Sequence, residues 1–130
     1  MHILALCLML FSAMTMAKSY VCISFSMPEN LLQETLNDST RLHIPAILNG
    51  LYHNSMPDTV TKIMALSQSI PDLQLQIDPT VFERFAINQV PALVVEKAGC
   101  FDVIYGTLPI AEGLERIQRK GECHHQRSKP

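Results

Sequence analysis

The groups in this 130-residue sequence that could carry redox or metal chemistry are its four cysteines and a pair of adjacent histidines. Cys7 lies in the apolar N-terminal stretch, whereas Cys22, Cys100 and Cys123 lie in the rest of the chain. The histidine pair directly follows Cys123, but no second group of ligands stands at the spacing of a zinc site. We therefore predict that the chain holds neither a metal ion nor another cofactor.

Cys100 and Cys123 are the cysteines whose predicted positions favour a disulfide. Cys100 begins a predicted strand that runs to Tyr105 and is about 20 Å long. Residues 109–119 show the apolar spacing of a helix about 16 Å long. If that helix runs back along the strand, Cys123 returns to Cys100, and a bridge would stabilise the fold by about 3 kcal/mol. An odd number of cysteines in an exported chain allows one bridge or none, and we expect Cys22 to be a buried apolar residue.

The elements that must position these residues alternate between strand and helix patterns, which predicts an α/β fold. Strands are expected at residues 19–25, 40–49, 74–77, 93–95 and 100–105, and helices after Ser26, Ser55, Asp78 and Pro109. Ser26 and Ser55 each precede an acidic residue by three positions, the pattern of a helix capping box. Since Pro45 cannot donate to a sheet ladder, we expect it at an edge or irregular position. The helix after Ser55 places the following residues at helical spacing: Val60, Ile63, Met64, Ser67 and Ile70.

The order of elements in residues 73–106 defines the fold more closely. A strand ends at Ile77-Asp78, Val90-Pro91-Ala92 precedes an apolar strand, and a hairpin returns to Gly106. This order resembles the C-terminal half of the thioredoxin fold, in which the equivalent proline is cis. The resemblance implies a central mixed sheet flanked by helices, with an extra strand–helix unit from about residue 41 to residue 70, after the first helix. It also implies a structural cis-proline at Pro91, the alternative being a trans proline at a strand start.

The turn after the first strand lacks the chemistry of the oxidoreductases that share this fold. Those enzymes place Cys-x-x-Cys at this turn, where the N-terminus of the helix lowers the pKa of a thiol. Ser26-Met27-Pro28-Glu29 keeps the spacing and the proline, but serine and glutamate stand where the two thiols belong. Because a hydroxyl cannot form a disulfide, thiol–disulfide exchange at this turn is excluded, and we predict no catalytic residue.

The surface formed by the Ser26 turn and the loop at Val90-Pro91 is instead a predicted protein-binding site. In active members of the fold, the cis-proline loop presents backbone groups to an extended substrate, and the same groups could pair with a partner strand here. The predicted contact residues are Ser26, Met27, Pro28, Val90, Pro91 and Ala92. The alternative is that Pro91 only shapes the fold.

Residues 1–17 are predicted to be a signal peptide. Residues 3–11 are continuously apolar, and Thr15 and Ala17 are the small residues that a signal peptidase requires, which places cleavage before Lys18. The run is too short to span a bilayer comfortably, so no membrane span is expected after its removal. The alternative is a buried first strand. Export predicts a protein that acts outside the cytoplasm, and the family resemblance described below implies the periplasm of a Gram-negative cell.

The charge distribution predicts one domain, residues 18–120, followed by a basic polar tail, residues 121–130. Residues 18–115 hold five basic and eleven acidic residues, whereas residues 116–130 hold five basic and one acidic. Such a tail is more often a solvated chain end than a binding device. A net charge of -2 gives no reason to expect nucleic-acid binding.

Motifs spread over the predicted domain resemble the TrbC family, whose members are exported, thioredoxin-like pilus assembly factors of F-type conjugative transfer systems. The motifs are Ser24-Phe25-Ser26-Met27-Pro28, Leu48-Asn49-Gly50-Leu51 followed by Asn54-Ser55 and Thr59, Ile77-Asp78-Pro79-x-x-Phe82, and Ile87-x-x-Val90-Pro91-Ala92. The resemblance covers residues 20–117 and implies no catalytic residues. It implies a partner of the TraW type, with which some relatives are fused, or another component of the type IV secretion pilus. The family tends to carry arginine where this chain has Asn49.

The sequence thus favours a non-catalytic periplasmic assembly factor for conjugation that acts by protein–protein binding. Two alternatives stay open. One is a thiol-disulfide oxidoreductase or isomerase that uses Cys100 and Cys123. The other is a small-molecule-binding or peroxidase-like domain, in which Cys22 would be the reactive thiol.

Overall fold

The computed structural model describes residues 17–125. Residues 1–16 of the predicted signal peptide and residues 126–130 of the predicted tail lie outside this range. The strands are β1 (Lys18–Ile23), β2 (Ala46–Leu48), β3 (Leu75–Ile77), β4 (Ala92–Lys97), β5 (Cys100–Tyr105) and β6 (His124–His125). The α-helices are α1 (Glu29–Arg41), α2 (Met56–Ser69), α3 (Pro79–Arg84) and α4 (Ile110–Lys120), and a 3-10 turn spans Tyr52–Asn54.

Within the described residues, these strands form one mixed sheet in the order β3-β2-β1-β4-β5-β6. β2 runs parallel to both β1 and β3, whereas the pairs β1–β4, β4–β5 and β5–β6 are antiparallel. With its flanking helices the fold is a thioredoxin-like α/β sandwich, as predicted. The predicted additional strand–helix unit corresponds to β2 and α2, and β3 forms an edge of the sheet.

Alternation along the strands divides the core between the two faces of the sheet. In β1, Ile23 belongs to a cluster that includes buried residues of α1, α2 and α4. Cys22, one position earlier, belongs to a second cluster with Ile47 of β2 and Phe82 of α3. Helices α1, α2 and α4 therefore cover one face, and α3 covers the other.

Of the two predicted helix caps, the one at Ser55 is found and the one at Ser26 is not. Ser55 caps α2, because its Oγ accepts a hydrogen bond from the backbone N–H three residues later at 3.2 Å. Asp78 caps α3 through the N–H two residues later at 3.0 Å. The cap predicted at Ser26 is wrong: α1 begins after Pro28 and has no side-chain cap. The Ser26 hydroxyl is hydrogen-bonded to that of Ser24 instead.

The strand predicted at residues 40–49 is shorter than its apolar run. α1 continues to Arg41, and β2 comprises only three residues. β2 lies between β1 and β3, so the edge position considered for Pro45 is wrong. Pro45 instead has the irregular backbone position that was the other expectation, outside the strand. Pro45 stands just before β2, where its missing N–H removes no ladder bond, and its carbonyl accepts a hydrogen bond from the Val21 N–H at 3.0 Å.

The apolar spacing predicted for α2 combines residues from two sides of the helix. Ile63 packs against the core next to buried Leu66, but Val60 and Met64 are exposed. The buried residue of the first turn is Thr59, a polar residue that an apolar pattern cannot identify. Polar contacts, described below, therefore decide which face of α2 points to solvent.

Strand pairing brings both ends of the described chain to the same end of the sheet. Across the four strands β1, β4, β5 and β6, Lys18 pairs with Glu96, Glu96 with Phe101, and Phe101 with His124. The carboxyl ends of β1 and β2 lie at the opposite end of the sheet, where Cys22 pairs with Ala92. The site described next is at that opposite end.

Candidate functional site

The carboxyl ends of the parallel strands β1 and β2 open into a cleft of about 760 Å³. In α/β sheets, this end of the parallel strands is where ligands bind. The cleft is bounded by the turn after β1 (residues 24–26), the segment from the end of β2 through the 3-10 turn (residues 48–54), and the loop before β4 (residues 87–90). We call this site the β1–β2 cleft.

The β1–β2 cleft has an apolar floor and a rim rich in amide groups. Apolar lining residues are Ile23, Phe25, Leu48, Leu51, Phe82, Ile87 and Val90. Carboxamide side chains come from two of the three surrounding segments: Asn49, Asn54, Asn88 and Gln89. In the part of the chain that the structure describes, no Asp, Glu, Lys or Arg lines the cleft. The site therefore offers hydrogen-bond donors and acceptors without formal charge.

The serine pair of the first turn is internally hydrogen-bonded. The hydroxyls of Ser24 and Ser26 lie 2.7 Å apart, and Ser24 Oγ also accepts a hydrogen bond from the Ser26 N–H at 3.1 Å. Among residues 17–125, neither hydroxyl is hydrogen-bonded to a histidine or a carboxylate, the groups that activate a serine nucleophile. The turn presents polar groups for recognition rather than an activated nucleophile.

The 3-10 turn is attached to α2 by hydrogen bonds that centre on Thr59. The buried Thr59 hydroxyl donates to the Ser55 carbonyl at 2.7 Å and accepts from the Tyr52 N–H at 2.8 Å. His53 and Asn54 both have left-handed backbone conformations, with φ of 54° and 52°, which allow the sharp change of direction between β2 and α2. Thr59 thereby fixes one wall of the β1–β2 cleft.

Aromatic contacts order the same wall. The Tyr52 ring stacks on the His53 ring, with 3.7 Å between their centroids, and meets Phe25 edge-on at 5.6 Å. The edge of the His53 ring makes a polar contact, since His53 Nδ1 lies 3.2 Å from Asp58 Oδ2. The wall of the cleft at Tyr52–Asn54 is therefore linked both to the turn after β1 and to the first turn of α2.

The loop before β4 forms the facing wall. The Ile87 N–H donates to the Phe82 carbonyl at 2.9 Å, which ties the loop to α3. The Val90–Pro91 peptide bond is cis, and the Pro91 carbonyl accepts from the Gly106 N–H at 3.0 Å. Within residues 17–125, neither backbone group of Val90 has a hydrogen-bond partner. Val90 therefore presents a main-chain donor and acceptor beside the cleft.

The structure separates the six residues predicted to contact a partner into three groups. Ser26 and Val90 line the β1–β2 cleft together. Pro28 is exposed at the start of α1. Met27, Pro91 and Ala92 are buried, so their side chains support the surface rather than form it. The structure adds residues 48–54 and 87–89. Leu48-Asn49-Gly50-Leu51, Asn54 and Ile87 belong to the family-like motifs, whereas Tyr52, His53, Asn88 and Gln89 had no signal in the sequence.

The Cys22 thiol is not available for chemistry at this site. It is fully buried on the α3 side of the sheet, and desolvation raises its pKa to about 12. A thiolate is the reactive form of cysteine, and almost none exists at neutral pH with such a pKa. Cys22 acts as a small apolar core residue.

Cys100 and Cys123 form a disulfide with their Cα atoms 5.1 Å apart. Cys100 pairs with Lys97, at the end of β4 remote from Ala92 and the β1–β2 cleft, which is about 17 Å along the strand. The backbone N–H groups of Glu122 and Cys123 both donate to Asp102 Oδ1 at 2.9 Å. The disulfide and the buried Asp102 side chain together hold the segment after α4 against β5.

Two other kinds of site have no candidate in the described chain. Across residues 17–125, no three side chains of His, Cys, Asp or Glu are grouped so that they could hold a metal ion. Over the same range, none of the helices combines the length and the apolar composition needed to cross a membrane.

Comparison with known proteins gives one family and one curated relative. The family described as type-F conjugative transfer system pilin assembly protein matches residues 21–117. Periplasmic protein TrbC of Escherichia coli (strain K12) is 36% identical over 101 residues, which is 78% of this chain and 48% of that protein. The chain thus spans about half the length of this curated relative. No solved structure matches.

Proposed function

Because the chain belongs to the TrbC family of type-F conjugative transfer system pilin assembly proteins, we propose that it acts in the periplasm, without catalysis, by binding another pilus assembly protein in the β1–β2 cleft. The predicted signal peptide and the name of the curated relative, a periplasmic protein, support this location. The partner is a protein of the TraW type or another component of the transfer apparatus.

One observation carries the assignment of the site: stretches that are far apart in sequence and resemble the family converge on the β1–β2 cleft. The serine-containing turn, the Leu48-Asn49-Gly50-Leu51 segment, Phe82 and the loop from Ile87 to Val90 all line it. This is also the position at which active proteins of the same fold hold an extended substrate. A shared recognition surface explains why these separate segments carry the family resemblance.

The lining of the cleft suits an extended, uncharged peptide segment. Its apolar floor can bury one or two apolar side chains, and the rim amides can hydrogen-bond to peptide groups of the partner. The main chain of Val90 adds a donor and an acceptor, as in partners that bind by strand-like pairing. Asn49, at the position where the family tends to carry arginine, keeps this rim neutral.

Within residues 17–125 no usable thiol lies near the cleft, which supports a binding role over thiol–disulfide exchange. The Cys22 thiol is buried and has a raised pKa. Cys100 and Cys123 are paired with each other at the remote end of β4. Ser26, in the turn before α1, and Glu29, the first residue of α1, stand where the thiols of an oxidoreductase would be.

The test places a charge in the cleft of the full-length protein, in a host that lacks its own copy but carries the rest of the transfer system. Asn88→Glu is expected to reduce transfer frequency and pilus number by about tenfold or more, because a desolvated charge without a partner weakens binding. Gln118→Glu, an exposed change on α4, is the matched control. Normal transfer by an Asn88→Glu protein present at normal level would overturn the proposal.

A second arm addresses the oxidoreductase alternative. The double variant Cys100→Ser with Cys123→Ser is expected to retain transfer at a temperature at which it stays folded. In an insulin-reduction assay, the parent and the double variant are expected to have the same activity. Insulin reduction by the parent that is lost in the double variant would replace the binding proposal with the thiol–disulfide one.

A further inference from the structure

We propose that a second groove, next to the β1–β2 cleft, binds a lysine or arginine of the same partner segment through the carboxylate of Glu34. The groove has a volume of about 620 Å³ and lies between α1 and the loop at residues 106–110, with residues 91–93 at its base. We call it the α1 groove. This inference rests on the proposed function, because it names the chemistry of the partner that occupies the cleft.

The α1 groove and the β1–β2 cleft meet at the Val90–Pro91 peptide bond. Val90 lines the cleft and Pro91 lines the groove. The Pro91 carbonyl accepts a hydrogen bond from the Gly106 N–H at 3.0 Å, so the loop before β4 is bonded to the opposite wall of the groove. An extended segment that pairs with the main chain of Val90 can continue into the groove, since each residue of such a segment spans about 3.4 Å.

Glu34 gives the α1 groove a negative charge that the described chain does not neutralise. Among residues 17–125, the charged side chains that line the groove are Glu34, Asp38 and Arg41. Asp38 forms an ion pair with Arg41 and accepts a hydrogen bond from the Ile110 N–H at 2.8 Å, so these two charges are engaged within the protein. Glu34 is exposed, and within the same range its carboxylate has no ion-pair or hydrogen-bond partner. The groove therefore offers one free carboxylate to a cation.

The position of this carboxylate is unfavourable in the free protein. Glu34 and Asp38 are four residues apart on α1, so they lie on the same face of the helix, and both line the groove. Like charges at this spacing destabilise a helix by about 0.2–0.5 kcal/mol, a cost that the pairing of Asp38 with Arg41 partly offsets. A cation bound beside Glu34 would replace this repulsion with attraction. A residue that weakens its own helix is expected where it contributes to binding.

The distribution of charge also favours a basic segment at this end of the molecule. Residues 17–125 hold eight basic and twelve acidic side chains. Among the described residues that line the cleft or the groove, Arg41 is the one basic side chain, and it is paired with Asp38. A basic partner segment therefore meets no unpaired positive charge along its path, whereas an acidic segment would be repelled by Glu34.

The rest of the α1 groove suits an extended peptide that carries a long basic side chain. Leu31 and Leu108 are partly buried in its walls and can pack against the aliphatic stem of a lysine or arginine. Within residues 17–125, the backbone N–H groups of Thr107 and Leu108 have no hydrogen-bond partner and can donate to carbonyls of the segment. The occupant is therefore a peptide segment whose uncharged part lies in the cleft and whose basic residue lies beside Glu34.

The test is photo-crosslinking of the exported full-length protein in cells that carry the whole transfer system. Benzoylphenylalanine replaces the exposed Thr107 in the groove, Asn88 in the cleft, or Gln118 on α4 as a control. The expected result is that positions 107 and 88, but not 118, crosslink to one protein. Mass spectrometry should then place both crosslinks in one segment, with a lysine or arginine next to the position-107 crosslink.

The other outcomes separate the two proposals. A crosslink at position 88 without one at position 107 would overturn the α1 groove and leave the proposed function intact. A position-107 crosslink to a second copy of this chain, to a different protein or to a segment without a basic residue would also overturn the groove. The absence of a crosslink at position 88 would count against both proposals.

Charge variants give an independent measurement. Glu34→Lys is expected to reduce transfer about tenfold, because it presents a like charge to the basic residue of the partner. Glu115→Lys is the matched control, since it makes the same change of charge on an exposed residue of α4 outside both openings and is expected to leave transfer unchanged. Equal effects of the two variants would contradict the assignment of Glu34.

The melting temperature distinguishes binding from a structural role of Glu34. Glu34→Gln is expected to reduce transfer about threefold without lowering the melting temperature, because it removes a repulsion with Asp38 as well as the contact with the partner. A lower melting temperature of Glu34→Gln, or transfer equal to that of the parent, would overturn the proposal.

Discussion

The Thr59 hydroxyl accepts a hydrogen bond from the backbone N–H of Tyr52 at 2.8 Å, seven residues earlier in the chain. This bond joins the wall of the β1–β2 cleft to the first turn of α2. Because the same hydroxyl donates to the Ser55 carbonyl, one small buried side chain sets both the shape of the cleft and the rotation of the helix. The shape of the proposed binding cleft depends on it.

Thr59→Val is expected to lower the free energy of unfolding by about 1.5 kcal/mol, since it keeps the shape of the side chain but leaves the part-buried Tyr52 N–H without its hydrogen-bond partner. Thr61→Val is the matched control, because Thr61 is exposed and bonds only to the Pro57 carbonyl of its own helix. Urea denaturation measures both. Equal stability of the two variants would show that the Thr59 bonds contribute nothing special.

The start of α4 is held by Asp38 of α1, whose Oδ2 accepts a hydrogen bond from the Ile110 N–H at 2.8 Å. Asp38→Ala is expected to cost about 1 kcal/mol, as the loss of a helix cap does. Asp38 also pairs with Arg41, so Arg41→Ala is the control that removes the exposed ion pair alone, and a change within about 0.5 kcal/mol is expected. If both variants lost the same stability, the ion pair rather than the cap would be responsible.

The disulfide between Cys100 and Cys123 closes a loop with a sequence separation of 23. Its removal in the double serine variant is expected to lower the free energy of unfolding by about 3 kcal/mol, because the unfolded chain regains the freedom of that loop. A reductant should lower the melting temperature of the parent to that of the double serine variant. It should leave the melting temperature of the variant unchanged. A shift in the variant would mean that the reductant acts elsewhere.

Burial of Cys22 makes stability depend on alkaline pH. Desolvation raises the pKa of its thiol from 9.0 to about 12 in the folded protein. Between these values the unfolded chain has released the proton and the folded chain has kept it, so rising pH favours unfolding. The stabilising contribution is complete below pH 9 and is lost progressively as the pH rises toward 12.

From pH 8 to pH 10 the parent is expected to lose about 1 kcal/mol more stability than Cys22→Ala, whose core lacks the thiol. Denaturant unfolding at the two pH values measures the difference. Cys22→Ala also leaves a small cavity, which lowers the free energy of unfolding by the same amount at every pH. This loss therefore does not affect the difference between pH 8 and pH 10. Parallel pH profiles of the two proteins would contradict a buried, neutral Cys22.

The sequence predicted the α/β order because strand and helix patterns, turn residues and the two caps at Ser55 and Asp78 are local signals. The cap predicted at Ser26 is wrong because the Ser26 hydroxyl is hydrogen-bonded to that of Ser24, which leaves α1 without a side-chain cap. The outward face of α2 could not be predicted from apolar spacing, because the contact that orients the helix is polar and involves Thr59 and Tyr52. A hydrogen bond between polar residues of this kind produces no periodic pattern in the sequence.

The candidate site was predicted in part for a similar reason. Ser26 and Val90 were selected from the analogy with a redox turn and a proline loop, and both line the β1–β2 cleft. The third wall, residues 48–54, was marked by the family-like motif at Leu48-Asn49-Gly50-Leu51 and Asn54, and its one histidine, His53, showed no partner in the sequence. Which segments share a cleft depends on the parallel pairing of β1 with β2, which a linear pattern does not reveal.

The row of paired residues Lys18, Glu96, Phe101 and His124 has an architectural consequence. It places the entry and exit of the described chain within about 15 Å of each other, on the pole opposite the cleft. A polypeptide of twice the length can therefore carry this unit as an insert or a terminal module, with both tethers leaving from the back and the recognition surface facing away from them. Affinity tags or surface attachment at either tether should likewise leave the front of the molecule unobstructed.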